Sequence, residues 1–331
     1  MIDPLTRWAA YGEKPDYAGL MTYAGLPYTE DPAELRGADV AIVGAPMDEL
    51  TSDSPGTRFG PRAIRAASCA PGPHLEAGVD ALRDVLRVID FGDAPILPAD
   101  PVRTHQAIQD TVAQVLAAGA IPIILGGDHS IAEPDMRAVA EQHGPVGLIH
   151  FDTHTDTGAT VFGATLSHGS CMYRLVESGH VDPSRYVQIG LRGYWPGEEE
   201  FGWQRERGIV SHFMHDVRER GIRAVVADAI EHVGAGPVFL SVDIDVLDPA
   251  FAPGTGTPEP GGMTSHELLW ACREIGANVQ LAGAEVVEVL PDRIGSRDIT
   301  ALVAERVVRE TLTGVALARV REREREVAAV A

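Results

Sequence analysis

From Val40 onward, seven short apolar runs are separated by amphipathic stretches, and that rhythm restricts the chain to an α/β architecture built on a mainly parallel sheet. The runs are VAIVGA at 40–45, VLRVIDFG at 85–92, IPIILGG at 121–127, VGLIHFD at 146–152, YVQIGLRG at 186–193, PVFLSVDID at 237–245 and LAGAEVVEV at 281–289. Several are apolar enough to be buried on both faces, as strands between two helix layers must be. The intervening segments 102–119, 130–143, 214–233, 264–276 and 298–318 repeat apolar residues at helical spacing, and Thr264 followed by Glu267 predicts a capping box. With no linker, repeat or shift in composition, the 331 residues read as one domain: 1–37 is an irregular N-terminal extension and 319–331 a charged helix end, solvated along VREREREV.

Charge narrows the partners. There are 48 acidic and 27 basic side chains, a net charge of −21, so the surface repels phosphate backbones and anionic lipid headgroups and attracts cations. Nucleic acid is excluded as a partner, and a cationic small molecule suits the field. Cys69, Cys171 and Cys272 are widely spaced, which gives neither a disulfide framework nor a zinc ribbon. The N-terminus has no basic-then-apolar leader and no apolar run approaches a membrane span, so a cytoplasmic protein with no membrane partner is expected.

Chemistry-bearing residues gather where the predicted strands end, which is where open parallel sheets bind ligands. ILGGDHS brings Asp128 and His129, IHFDTHTD brings Asp152, His154 and Asp156, and SVDIDVLDP brings Asp243, Asp245 and Asp248. Alone, each has a bland reading: GDHS as a capped loop, DTHTD as a polar turn, a strand-end Asp as a helix cap. On a flat strand, period-two spacing would also turn neighbouring side chains to opposite faces, so they can converge only where the chain bends. Gathered together, His129, Asp152, His154, Asp156, Asp243 and Asp245 form a set too large for one tetrahedral ion and too acidic to bury without cations. Oxygen donors dominate, thiolate is absent and two imidazoles disfavour magnesium or calcium; manganese fits best, with nickel, cobalt or iron as substitutes.

The same motifs, in order, resemble the arginase/agmatinase (ureohydrolase) family: GAPMD, PGTRFGPRAIR, GGDHS, DTHTD, SHGS, SVDIDVLDPAFAPGTGTPEPGG and EVVEVLP. The resemblance implies a three-layer α/β fold with a largely parallel eight-stranded sheet, two Mn2+ per subunit, and assembly as a homo-oligomer, a trimer or hexamer. It assigns one metal to His129, Asp152, Asp156 and Asp243 and the other to Asp152, His154, Asp243 and Asp245. Asp156 would also hydrogen-bond a bridging hydroxide, which attacks the guanidinium carbon and releases urea. His168 resembles the family's proton-shuttling histidine, and Glu288 the glutamate that pairs with the guanidinium. Without the resemblance, His168 reads as a loop histidine and Glu288 as a cap or salt-bridge partner. Glu285 reads as a supporting group rather than a catalytic one, and Cys171 as unneeded for nucleophilic attack.

For the substrate tail, Asp53 and Ser54 replace an aromatic and a basic residue that many agmatinase-like relatives carry, and LPDRIG replaces SPxYD after Glu288. These departures favour a cationic tail and hence agmatine, cleaved to putrescine and urea. The alternatives are guanidinobutyrate, guanidinopropionate, guanidine and guanidines of secondary metabolism. From other classes, a metal-dependent deacetylase would carry one zinc on one His and two Asp, and a catalytically dead binding protein would have lost a ligand or the shuttle histidine.

Overall fold

In a computed structural model, which describes residues 1–330 apart from 13, 70–71, 196 and 293–297, one eight-stranded sheet has the order β2-β1-β3-β8-β7-β4-β5-β6 with every pairing parallel. The strands are β1 (Val40–Ala45), β2 (Val88–Asp93), β3 (Ile121–Gly126), β4 (Val146–Phe151), β5 (Val181–Leu191), β6 (Val210–Phe213), β7 (Pro237–Asp243) and β8 (Gln280–Val287). All seven apolar runs form strands. β6, of sequence VSHF, fell outside the predicted set because it is a short edge strand with no apolar run to mark it.

Helices cover both faces. On one side Val40, Ile42, Leu125, Phe151, Leu240 and Val286 pack against α1 (Gly60–Ala67), α6 (Met214–Arg220), α7 (Ile222–Val233), α8 (Ser265–Asn278) and α9 (Ile299–Val330). On the other, Ile124, Leu148, Tyr186, Phe239 and Val287 pack against α2 (Pro101–Ala117), α3 (Ala132–His143) and α4 (Cys171–Glu177). Leu148 and Ile149 fall in different layers, as strand alternation dictates.

Local chemistry sets the boundaries. Asp100 caps α2 by accepting from the Arg103 N–H at 3.1 Å, with Pro101 preorganised at the first helical position. The Thr264–Glu267 capping box opens α8 as predicted. The stretch 214–233 is two helices, because Gly221 at φ +78 is in a backbone conformation that a helix interior cannot hold. Helices α1, α4 and α5 (Glu198–Arg207) fell outside the helical pattern, and α5, EEEFGWQRER, has no apolar stripe to betray it. The first residues form short 3-10 turns at 6–8, 23–25 and 32–35. They are nevertheless anchored: Tyr23 and Leu35 are fully buried, and Asp90 accepts from the Tyr23 N–H at 2.7 Å. Helix α9 runs on to 330 through the charged segment read as a solvated helix end, with 321–329 exposed. No helix among the described residues is long and apolar enough to cross a membrane.

Candidate metal centre

Four strands adjacent in space, β3, β8, β7 and β4, end on the same edge of the sheet, and each hands over to a segment that carries part of the site. After β3 the chain passes Gly127, where a Cβ would lie 2.0 Å from the carbonyl oxygen of Met47; only glycine permits that approach. Asp128 then takes the bland role. It caps the turn at 129–131 through the Ser130 N–H (2.9 Å) and accepts from the Leu50 N–H (3.0 Å).

His129 is fully buried, and its two ring nitrogens have different surroundings. Nε2 meets Ser241 Oγ at 2.9 Å. Nδ1 faces Asp156 Oδ2 at 2.8 Å, Asp152 Oδ2 at 3.2 Å and Asp243 Oδ2 at 3.4 Å, yet makes no hydrogen bond of acceptable geometry. Asp152 is divided between two neighbours: Oδ2 faces His129, whereas Oδ1 faces His154 Nδ1 at 3.5 Å and accepts from the His154 N–H at 2.5 Å. His154 Nδ1 also lies 3.0 Å from Asp245 Oδ2. Backbone N–H groups fix the remaining carboxylates, Asp245 N–H to Asp243 Oδ1 (2.8 Å) and Thr153 N–H to Asp245 Oδ1 (3.1 Å). All six residues selected from the sequence therefore meet, in two groups that share Asp152.

Asp248 leaves the cluster and staples the following loop, accepting from the N–H groups of Gly261 (2.7 Å) and Ala250 (2.9 Å). His150 was missed. Two residues before Asp152 on β4, it shares that residue's face, and its Nε2 lies 2.9 Å from Asp152 Oδ2 with Tyr186 Oη 3.0 Å from Nδ1. The signal was the strand's own alternation, extended back from the strand end.

Protons reveal how much charge this edge carries. Burial alone would lower His154, but Asp245 and Asp152 override it and hold the imidazole up to about 12. Burial, together with the charges of Asp245 and Asp152, pushes Asp243 well above the carboxylate range. Asp152, although buried, is pulled well below it by the three imidazoles that surround it, His129, His150 and His154. In the protein alone, protons stand in for positive charge; divalent cations would do so without neutralising the carboxylates. The orphaned, buried Nδ1 of His129 amid three carboxylates fits a metal ligand and little else.

Above these groups is a cavity of about 160 Å³, lined by Ser52, His154, Asp156, Val161, Phe162, His168, Gly169, Trp195, Asp243 and Thr257. Ser52 rather than Asp53 or Ser54 lines it. Of the LPDRIG segment, 293–295 lies outside the described residues. Glu288 follows β8 with φ +60; its Oε1 accepts from the His129 N–H (2.9 Å) and His168 Nδ1 (2.8 Å), while Oε2 is buried with no hydrogen-bond partner among the described residues. On its far side, His168 Nε2 reaches Ser52 Oγ at 2.8 Å. Burial would lower His168, but the hydrogen bond and charge of Glu288 push it up to about 9. Burial drives the Cys171 thiol well above its ordinary range, which removes it as a nucleophile.

The model of the Arginase family matches residues 38–314. Guanidinobutyrase of Pseudomonas aeruginosa is 41% identical over 282 residues, covering 84% of this chain and 87% of that protein. Guanidinopropionase of the same organism is 43% identical over 282 residues, covering 84% and 86%. The solved structure of proclavaminate amidino hydrolase from Streptomyces clavuligerus superposes with a TM-score of 0.86 at 37% identity, covering 92% of this chain and all of that one.

Proposed function

Because the chain belongs to the arginase family, we propose that it hydrolyses a guanidino compound to urea and an amine at a centre for two divalent cations. His129, Asp152, Asp156 and Asp243 would hold one, and Asp152, His154, Asp243 and Asp245 the other. The observation that carries this reading is Asp152, with one oxygen turned to each imidazole and the bare Nδ1 of His129 beside it. The donor set favours manganese. Divalent cations held by these residues would lower the pKa of water toward about 7 and so would supply a nucleophile at neutral pH.

The chain's own groups do the rest. A guanidinium carbon is a weak electrophile, its charge spread over three nitrogens, so it must be held in a fixed orientation. Glu288 Oε2, buried and without a partner, is placed to accept a guanidinium N–H, with its other oxygen immobilised by His129 and His168. His168 keeps a proton at neutral pH because Glu288 holds one negative charge against it. A substrate cation arriving at Glu288 offsets that charge, loosens the proton and readies it for the leaving amine.

For the tail, agmatine is the first reading. Beside the groups assigned to the cations, the described lining holds Phe162 and Trp195 and no Arg or Lys, so it offers aromatic faces to an alkylammonium and no guanidinium or ammonium to a carboxylate. The relatives named guanidinobutyrase and guanidinopropionase favour a guanidino acid as the second reading. A urea-release screen of manganese-loaded enzyme across agmatine, arginine, 4-guanidinobutyrate, 3-guanidinopropionate and guanidine separates them. Preference for 4-guanidinobutyrate over agmatine overturns the first reading, and no urea from any substrate overturns the whole proposal. A cytoplasmic homo-oligomer, trimer or hexamer, completes the proposal and is checked by fractionation and light scattering.

A further inference from the structure

A donor of another kind lies within reach of the carboxylates and imidazoles, and it is a sulfur. Cys171, the first residue of α4, is 1% exposed. Its Sγ, a ring nitrogen of His129 and a carboxylate oxygen of Asp156 all lie within 4.8 Å of one another. The thiol donates a hydrogen bond to the carbonyl of His168, at 3.2 Å. A buried cysteine is ordinarily a small apolar filler, and Cys171 does belong to the apolar cluster with Met172 and Leu175. Filling explains its burial. It does not explain a sulfur set beside two polar donors, one of them the fully buried His129, whose Nδ1 has no partner.

We infer that Cys171 is a soft ligand for the cation held by His129 and Asp156, recruited when that cation is thiophilic. The inference rests on the two-cation reading above. Coordination is balanced as Cys–SH plus M2+ giving Cys–S–M+ and a proton released to water. Thiolates select zinc, cadmium and cobalt over manganese, whereas carboxylates do not. The second group, Asp152, His154 and Asp245, has no sulfur in reach among the described residues. The two halves of the centre thus differ chemically: the His129 half accepts soft ions, and the His154 half is confined to oxygen and nitrogen donors.

Cobalt titration of the chelator-stripped full chain tests this, because two absorptions report separately. The visible d–d bands show that cobalt has entered; the near-ultraviolet sulfur-to-cobalt band shows that a thiolate holds it. Both should rise together in the wild type and in Cys69→Ser/Cys272→Ser, where Cys171 is the remaining thiol. In Cys171→Ser the d–d bands should persist and the sulfur band vanish. Its cadmium affinity should fall about tenfold or more, while manganese affinity changes by less than about threefold. The d–d bands without a sulfur band in the wild type overturn the role of Cys171 and leave the two-cation reading standing. A sulfur band lost in Cys69→Ser/Cys272→Ser assigns it to another thiol and overturns the inference. No d–d bands at all overturn both. Should Cys171→Ser fail to fold, the wild type and Cys69→Ser/Cys272→Ser still decide.

Discussion

Glu288→Gln is a near-isosteric change whose effect follows from hydrogen-bond polarity. One side of the carboxylate receives two donors, the His129 N–H at 2.9 Å and His168 Nδ1 at 2.8 Å. A glutamine must therefore turn its carbonyl oxygen to those donors, which forces its NH2 into the place of Oε2. That position is buried and is the one proposed to receive the substrate. Donor would then meet donor, and the buried charge opposite the guanidinium would be gone. Truncating one partner of a buried, hydrogen-bonded charge pair costs about 2–5 kcal/mol. At about 1.4 kcal/mol per factor of ten, kcat/KM should fall roughly 30- to 3,000-fold. A second readout follows from His168, pushed up to about 9 by Glu288. In its proposed role as general acid it must be protonated, so activity is present below that value and lost as pH rises through it. Without the carboxylate charge, the alkaline limb of kcat/KM should move down toward the ordinary histidine value of about 6.5. Urea release measured from pH 6 to 10 on protein of matched metal content supplies both numbers. A loss smaller than about fivefold, or an alkaline limb that stays in place, would refute this reasoning.

Asp152→Asn weakens both halves of the centre at once: urea release should drop to background on every guanidino substrate, and elemental analysis after dialysis should find fewer than two bound ions per chain. Chelation of a protein whose two cations each exceed their Kd about a thousandfold removes about 4 kcal/mol per ion, about 8 kcal/mol together, so the melting midpoint should fall by roughly 10–15 °C and recover on adding manganese. Burial lowers His105 to about 4; the unfolded chain binds its proton first, so stability is complete above about pH 6.5 and declines by about 3 kcal/mol on reaching pH 4. His105→Gln should flatten that limb of a urea-denaturation series, and an unchanged slope counts against the assignment. Arg65 grips buried Asp90 through Nε and Nη2, both at 2.9 Å; Arg65→Met should cost about 3–5 kcal/mol in chemical denaturation, with Arg65→Met/Asp90→Asn, which removes the unpaired charge and keeps an acceptor for the Tyr23 N–H, recovering part of it.

What could be read from the sequence was what repeats. Strands β1, β3, β4, β7 and β8 are apolar on both faces, so their runs stand out, and Thr264 with Glu267 announces α8 by two residues alone. β6 was invisible because an edge strand needs only one buried face, and the Gly221 break was hidden by the periodicity running through it. In the site, the six acids and imidazoles were visible as strand-end clusters. His168 and Glu288 were not: one sits on a 3-10 turn, the other in an apolar run, and only the resemblance singled them out. His150 was masked by its position inside β4, where a histidine breaks no pattern until Asp152 is known to share its face.

The bends that make the site are backbone conformations no propensity would choose. Among the described residues, the non-glycine positions with positive φ are Ala24, Ala99, Asp156, Phe162 and Glu288, and three of these belong to the centre or its cavity. Such a conformation costs on the order of 1–3 kcal/mol and persists only where its surroundings hold it. At Asp156, φ +51, the turn brings Oδ2 to 2.8 Å from His129, while its carbonyl is held by the Met172 N–H at 3.1 Å. At Glu288, φ +60, the N–H donates to the Gly127 carbonyl at 2.9 Å and the carboxylate swings back over β3 to reach the His129 backbone. Alternation along a strand would have sent neighbouring acids to opposite faces. Local strain defeats it twice, and each time the strained residue ends beside His129. The rigid sheet supplies position, and the energy stored in two turns supplies convergence; neither alone would gather six acids and imidazoles and the Glu288 carboxylate around one edge.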